Sequence, residues 1–303
     1  MNEKRKCVKC NLLIDSDLDT CPYCGYPQNK EEDNKKNREK VEIVESKKPT
    51  RNFNLFDFEQ KDIRINVIKQ IFLFITGWLG MTAISLLFQY ISQTVSEPLF
   101  TNTRGIGLLN FIIYFILFGI LSLICCTDII NLLPTFKKGK EFLTDLGYGG
   151  MLVCVSLIVN IFFNLIGKMF HLNVEENANE SGIDSIVSIF PILSLIIFGI
   201  IGPICEEFTY RLGLFSLLKR ANRILPYILT ALIFGFIHFD FNCLTSGNGA
   251  LIINEFLNLP SYLAAGLTLC FIYEKRGFGG SCVAHITNNV ISIILTIFLG
   301  FLG

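Results

Sequence analysis

The chain has 303 residues, 51% hydrophobic and only 17% charged, with a formal net charge of zero and a mean hydropathy of +0.50. A charge balance of zero points to no nucleic-acid partner. The 28 Phe and long Ile/Leu runs set the chain apart from soluble domains and place it among polytopic membrane proteins.

The first residues, Met1 to Cys7, carry Lys4, Arg5 and Lys6 with no apolar stretch behind them, so no cleavable signal peptide is expected. Cys7 and Cys10, then Cys21 and Cys24, form two CxxC pairs. Each pair presents two thiolates to one ion, and four sulfurs close a tetrahedral zinc shell with no open position. A module this short buries too little apolar surface to fold alone, and bound zinc supplies the missing free energy. The competing reading is a disulfide or redox pair, which the absent signal peptide disfavours. The segment resembles the small zinc-ribbon domains of bacterial membrane proteins, which implies structural zinc and no catalytic role. The other seven cysteines are scattered in apolar sequence and are expected to be small core residues.

The predicted domains are a zinc ribbon at 1–27, a polar linker at 28–61 and a membrane domain at 62–303. The linker mixes charges with few apolar residues, as tethers do. Phe53, Leu55, Phe56 and Phe58 fit either a membrane-surface segment beside Lys61 and Arg64 or a plain approach to the first helix. Seven apolar segments follow, at about 65–95, 106–132, 146–170, 186–218, 224–239, 250–273 and 280–302. The expected fold is an all-α polytopic membrane bundle of about seven to eight transmembrane helices behind a small N-terminal zinc ribbon. The fifth segment is expected to continue to Cys243. The sixth holds Asn254, Glu255, Asn258 and Pro260, so its first half is expected to be a surface or re-entrant piece. Gly147, Gly149 and Gly150 are read as helix contacts.

Loop charges predict the orientation. Lys137, Lys138 and Lys140 follow the second segment, Lys219, Arg220 and Arg223 the fourth, and Lys275 and Arg276 the sixth. The loop at 171–184 has Glu175, Glu176, Glu180 and Asp184 with no Lys or Arg. The positive-inside rule places the N-terminus in the cytoplasm of a multi-pass protein of the cell membrane, with lipid as its surroundings. His171, in the acidic loop, is read as a surface residue.

Three polar groups interrupt the apolar sequence. They are Glu206-Glu207 with Arg211, Phe234 with His238, and His285 with Asn289. A carboxylate at the centre of a bilayer helix costs roughly 2.5–3.5 kcal/mol on insertion scales, so it faces a protein interior or a wet cavity. Glu207 and Arg211 are four apart and can pair; Glu206 lies about 100° round the helix. By helical rise Glu206 is about 20 Å from Lys219, His238 about 22 Å from Arg223 and His285 about 14 Å from Arg276. Three helices thus offer a carboxylate and two imidazoles at one level. Gly202-Pro203 is expected to kink the helix before Glu206 and open space for water. Such a set suits hydrolysis: a shielded carboxylate as base, a His to share water activation or bind a metal, and a His and an Asn as oxyanion donors.

With these motifs the chain resembles the CPBP family, the CAAX-protease and bacteriocin-processing intramembrane proteases also called Abi proteins. The resemblance covers about 146–302. It implies a helical membrane fold with a conical cavity opening to the cytosol, endopeptidase activity, and a peptide or protein substrate. Carried over by motif, Glu206 with His238 would activate water, His285 and Asn289 would form the oxyanion site, and Glu207 and Arg211 would support them. The family's usual label is metalloprotease, but one Glu and two His fit either a catalytic zinc or metal-free glutamate chemistry. The competing classes are a non-catalytic bacteriocin-immunity or scaffold protein, and a transporter using Glu206 and His238 as a proton relay.

Overall fold

The computed structural model describes residues 4–10, 12–24, 26–28, 65–93, 102–172 and 177–302. The linker expected at 28–61 lies outside these residues apart from Gln28, as do Phe53, Leu55, Phe56, Phe58, Glu175 and Glu176. The described residues fall into two units, 4–28 and 65–302, which are taken separately.

In the first unit, β1 (Lys4–Lys6) pairs antiparallel with β2 (Leu13–Asp15), with Lys4 opposite Asp15. Cys7 and Cys10 lie in the turn between the strands, closed by Cys7 N–H to Leu12 O at 2.8 Å. Cys21 and Cys24 form a second turn, closed by Cys21 N–H to Tyr26 O at 2.9 Å. The apolar core consists of Ile14 and Leu18 around the cysteines. That is far too little for a domain to fold on burial alone.

The second unit is an all-α bundle. Its helices are α1 (Val67–Gln93), α2 (Thr103–Ile124), α3 (Lys140–Met169), α4 (Ala178–Ile189), α5 (Pro191–Leu218), α6 (Leu225–Phe236) and α7 (Gly249–Leu302). Among the described residues α1, α2, α3, α5 and α7 are long and apolar enough to cross a membrane, and α6 is apolar but shorter. All seven apolar segments of the sequence are helical once α7 is divided at Gly277, whose φ of 74° and ψ of −173° break it into two arms. A positive φ suits glycine, which has no Cβ to clash. The bundle's polarity is inverted relative to a soluble protein: Trp78, Leu86, Phe162 and Leu165 are exposed, while Asp145, Glu207 and Arg211 are fully buried. That is the pattern of a chain solvated by lipid.

Several boundaries differ from the sequence reading. The fourth segment is two helices, because Phe190 precedes Pro191 and takes an extended φ of −130°. The fifth does not run on as α-helix to Cys243; α6 stops at Phe236 and a 3₁₀ turn spans Phe241–Thr245. The first half of the sixth is regular helix. Its polar residues are buried because they have partners: Glu255 accepts from the Ala178 and Asp240 backbone N–H groups, each at 3.1 Å, and Asn258 donates to Asn254 O at 3.0 Å. The kink expected at Gly202-Pro203 is met by π-helical backbone at Ile197–Ile201 just ahead of it. Proline lacks an N–H and crowds the carbonyl four residues back, which a wider turn relieves.

Of the three glycines read as contacts, Gly149 alone is one: a Cβ there would lie 2.5 Å from Thr287 Cβ and 3.0 Å from Ala284 O, whereas Gly147 and Gly150 face open space. The missing side chain lets α3 ride against the second arm of α7 beside His285. Among the scattered cysteines Cys125, Cys205, Cys243, Cys270 and Cys282 are buried as expected, but Cys126 and Cys154 are exposed. His171 is exposed just beyond α3, at a φ of 56°.

Candidate functional sites

The helix α5 carries two carboxylates on adjacent faces. After α-helical backbone at Gly202–Glu206, the residues Glu207–Phe215 are π-helical and all buried. Single π segments in α-helices recur at functional sites. Glu207 is fully buried, while Glu206 keeps 19% side-chain exposure on the wall of a cavity of 390 Å³. His238, His285 and Asn289 line the same cavity. The structure therefore brings the residues of all three sequence motifs to one place.

Glu207 is the hub beneath this wall. Its Oε1 receives His285 Nδ1 at 2.9 Å and lies 3.2 Å from Arg211 Nη1. Its Oε2 accepts the hydroxyl of Ser281, a fully buried residue four positions before His285 on the same arm of α7. Arg211 Nη1 makes an ion pair without hydrogen-bond alignment, and Arg211 Nε also lacks a partner. The guanidinium instead lies over the Phe234 ring at 4.8 Å, and its Nη2 reaches Gly266 O at 3.4 Å. Phe234 thus serves the site as a cation–π platform as well as by spacing from His238.

Both imidazoles have Nδ1 engaged. His285 gives Nδ1–H to Glu207, which turns Nε2 toward Glu206 Oε2 at 3.6 Å. His238 sits just past the end of α6. Its Nδ1 pairs with Phe234 O at 2.8 Å, and its ring stacks on Tyr262 at 4.5 Å and 15°. The partner on Nδ1 sets which nitrogen faces the reacting centre. Asn289 Nδ2 donates to Phe198 O at 3.1 Å, and its Oδ1 accepts from Asn288, so one amide N–H stays uncommitted.

Sequence reasoning missed Ser281, Tyr262 and Asn288. Ser281 alone had a usable signal, its spacing of four from His285. Serine in a membrane helix commonly satisfies itself on a backbone carbonyl, so that spacing alone is weak.

The four N-terminal cysteines could hold a metal ion. Their sulfurs lie within 4.8 Å of one another, with Cys7 to Cys24 at 3.7 Å and Cys10 to Cys21 at 3.6 Å. Four sulfurs at about 2.3 Å from a tetrahedral zinc stand about 3.8 Å apart, so the cage has the right size. The Cys7 sulfur also receives the Cys10 N–H at 3.5 Å and the Gln28 side-chain amide at 3.4 Å. Burial raises the Cys7 thiol, but the backbone N–H groups of Cys10 and Lys9 outweigh it and bring it down to about 6. Among the described residues no other three His, Cys, Asp or Glu side chains bring their ligand atoms this close. Glu206, His238 and His285 therefore do not form a ready cage for a catalytic metal.

Residues 188–291 match the family described as Type II CAAX prenyl endopeptidase Rce1-like. The match includes Glu206, Glu207, Arg211, His238, His285 and Asn289, and is narrower than the 146–302 expected from the motifs. The chain is similar to an uncharacterized protein of Mycoplasma capricolum subsp. capricolum, at 27% identity over 172 residues. That alignment covers 54% of this chain and 47% of the relative, so it spans about half of that protein's length. It is also similar to the "Putative membrane peptidase YdiL" of Bacillus subtilis (strain 168), at 22% identity over 59% of this chain and 71% of the relative. No solved structure gives a significant match. The resemblance to the CPBP family of intramembrane proteases is carried by these two comparisons and by the residues inside 188–291.

Proposed function

We propose that the chain is an intramembrane endopeptidase that hydrolyses a peptide or protein substrate with water activated by Glu206 and His238. The observation that carries this reading is Glu206 on the cavity wall, 3.6 Å from an imidazole whose other nitrogen is held by the buried Glu207. A scaffold has no need of two oriented imidazoles and a spare amide N–H around one space, and a proton relay through Glu206 and His238 has no need of the Asn289 amide.

The chemistry follows from the tautomers. Glu206 accepts a proton from water, and His238 Nε2, free because Nδ1 is on Phe234 O, accepts the second hydrogen bond and orients it. The oxygen attacks the substrate carbonyl. The oxyanion takes a hydrogen bond from the spare N–H of Asn289 and one from His285 Nε2 where that nitrogen carries a proton. Glu206 then returns its proton to the leaving amine, giving a carboxylic acid and an amine, and the remaining hydroxyl proton passes to the amine to leave a carboxylate and an ammonium. Glu207, with Arg211 and Ser281, holds His285 in position throughout. Every step uses the chain's own groups. Comparing the peptide termini of membranes holding wild type or Glu206→Gln tests the reading, and identical sets of termini would leave the binding-protein alternative.

The Asn289→Ala variant is expected to lose less than a Glu206 variant. One oxyanion donor is worth about 10²–10³ in rate, and the loss of Asn289 is expected near the lower end, since His285 remains. Single-turnover rates measure this, and an unchanged rate would remove Asn289 from the oxyanion site.

The N-terminal cage is proposed to hold one structural zinc. Metal analysis of the purified full chain should give one zinc, lost when Cys7 and Cys10 are replaced by Ser. Cleavage by that variant should survive a chelator, because Glu206, His238 and His285 do not converge on one ion. Loss of its activity on chelation, restored by zinc, would instead make the enzyme a metalloprotease.

The basic loops support a cytoplasmic N-terminus, with residues 1–64 on that side of the first span. The zinc thiolates would then lie in a reducing compartment.

A further inference from the structure

The cavity and the basic loops occupy opposite ends of the bundle. One end gathers the start of α1, the end of α2, the start of α3, the end of α5 and the junction of the two arms of α7. Contacts across these elements tie it together: Lys69 to Asp128 at 2.5 Å, Lys219 to Glu274 at 2.7 Å, Arg276 to Asp145 at 2.5 Å, and Gly279 N–H to Thr135 Oγ1 at 3.0 Å. All three basic loops belong to this end.

The other end is tied by a separate set of contacts. Asn177 donates to His238 O at 3.1 Å, Tyr262 to Glu180 at 3.2 Å and Thr296 to Asp184 at 3.1 Å, while Glu255 holds the Ala178 and Asp240 N–H groups. The only Lys and Arg residues of the helices near this end are Arg104 and Lys168 among the described residues.

The cavity reaches toward this second end on α3, α5 and the second arm of α7. On α3 its wall runs from Leu152 to Asn160, away from Lys140. On α5 it runs from Glu206 back to Phe198, away from Lys219, and on the second arm of α7 from His285 to Thr296, away from Arg276. The helix α4, wholly at the second end, adds Asn179, Glu180 and Asp184. Toward the basic end the space is closed by a buried layer that includes Leu212, Phe215, Cys270, Tyr273, Phe278 and Cys282.

Lys and Arg in short loops stay on the cytoplasmic side. Cytoplasmic basic loops and a cavity opening to the cytosol, both expected from the sequence, therefore exclude one another. The charge asymmetry is a property of this chain; the cytosolic opening was only implied by resemblance. We infer that the site is entered from the non-cytoplasmic side, and that its substrate is a polypeptide presented at the outer leaflet or exported across the membrane. This rests on the protease reading for the substrate but not for the direction of access.

Two measurements on the full-length protein test it. In a background with the exposed Cys126 and Cys154 replaced by Ala, Asn179→Cys at the cavity rim and Lys138→Cys in a basic loop are each exposed to a membrane-impermeant maleimide. Asn179→Cys should be labelled in intact cells and Lys138→Cys only after permeabilisation; the reverse pattern overturns the inference whether or not any peptide is cleaved. A pool of quenched peptides coupled to dextran, and so unable to cross a membrane, is then offered to spheroplasts and to inverted vesicles. Hydrolysis by spheroplasts that needs Glu206 supports entry from outside, and hydrolysis by inverted vesicles alone overturns it. A pool cleaved from neither face, even after detergent, counts against the protease reading, and the labelling still decides the direction.

Discussion

Glu206→Gln is expected to abolish cleavage at almost no cost in stability. A general base contributes about 10²–10⁴ in rate, and the loss should sit near the upper limit because Glu206 is the carboxylate that receives the water's proton. Glutamine keeps the size and a hydrogen-bonding oxygen but cannot hold that proton. Stability should barely change. Glu206 borders the cavity with 19% of its side chain exposed, and its contact with His285 is a long 3.6 Å. Removing its charge strands no partner in the protein interior, unlike a change at Glu207. The pair of readings is therefore diagnostic: single-turnover cleavage set against thermal unfolding in the same detergent. Normal cleavage by Glu206→Gln would end the assignment, and a large fall in thermal stability would mean that the residue is structural.

Glu207→Gln is expected to do the opposite, with its main effect on folding. Glu207 and Arg211 are both fully buried, and breaking a buried pair from one side costs about 3–5 kcal/mol because the other charge is left uncompensated. Against a typical total of about 5–15 kcal/mol that is a large fraction. Arg211 is already short of hydrogen bonds at Nε and Nη1, so it has little with which to replace the carboxylate. Arg211→Met should be comparably damaging, since it strands Glu207. The double variant Glu207→Gln/Arg211→Met should be less destabilised than the sum of the two, because neither charge then remains. Ser281→Ala should cost about 1–3 kcal/mol, the price of one lost hydrogen bond to a buried acceptor. Denaturation midpoints of the four variants measure the pattern. Strict additivity of the two single changes would show that Glu207 and Arg211 do not act as a pair.

The amino-acid sequence was enough to specify class and motif residues, because these depend on local composition and spacing. Apolar runs of transmembrane length have no stable alternative to helix in a bilayer. Two CxxC pairs at short separation leave few other uses for four thiols. Glu206, His238 and His285 stood out because ionisable residues are costly in apolar sequence. Their shared level followed from helical rise measured from the basic loops.

What needed the tertiary structure was every relation across helices. Spacing on α5 showed that Glu206 and Glu207 face different directions, but only packing against α7 made Glu207 the buried hub for Arg211, Ser281 and His285. A sequence rule treats each helix alone, whereas the tautomers of His238 and His285 are set by acceptors elsewhere, Phe234 O and the Glu207 carboxylate. The buried Glu255 looked like a surface feature because its partners, the N–H groups of Ala178 and Asp240, come from distant turns. Charge in the loops orients each segment with respect to the membrane. Which half of the bundle is hollow depends on how side chains of six helices fill the space between them, and that is a property of the packed structure alone.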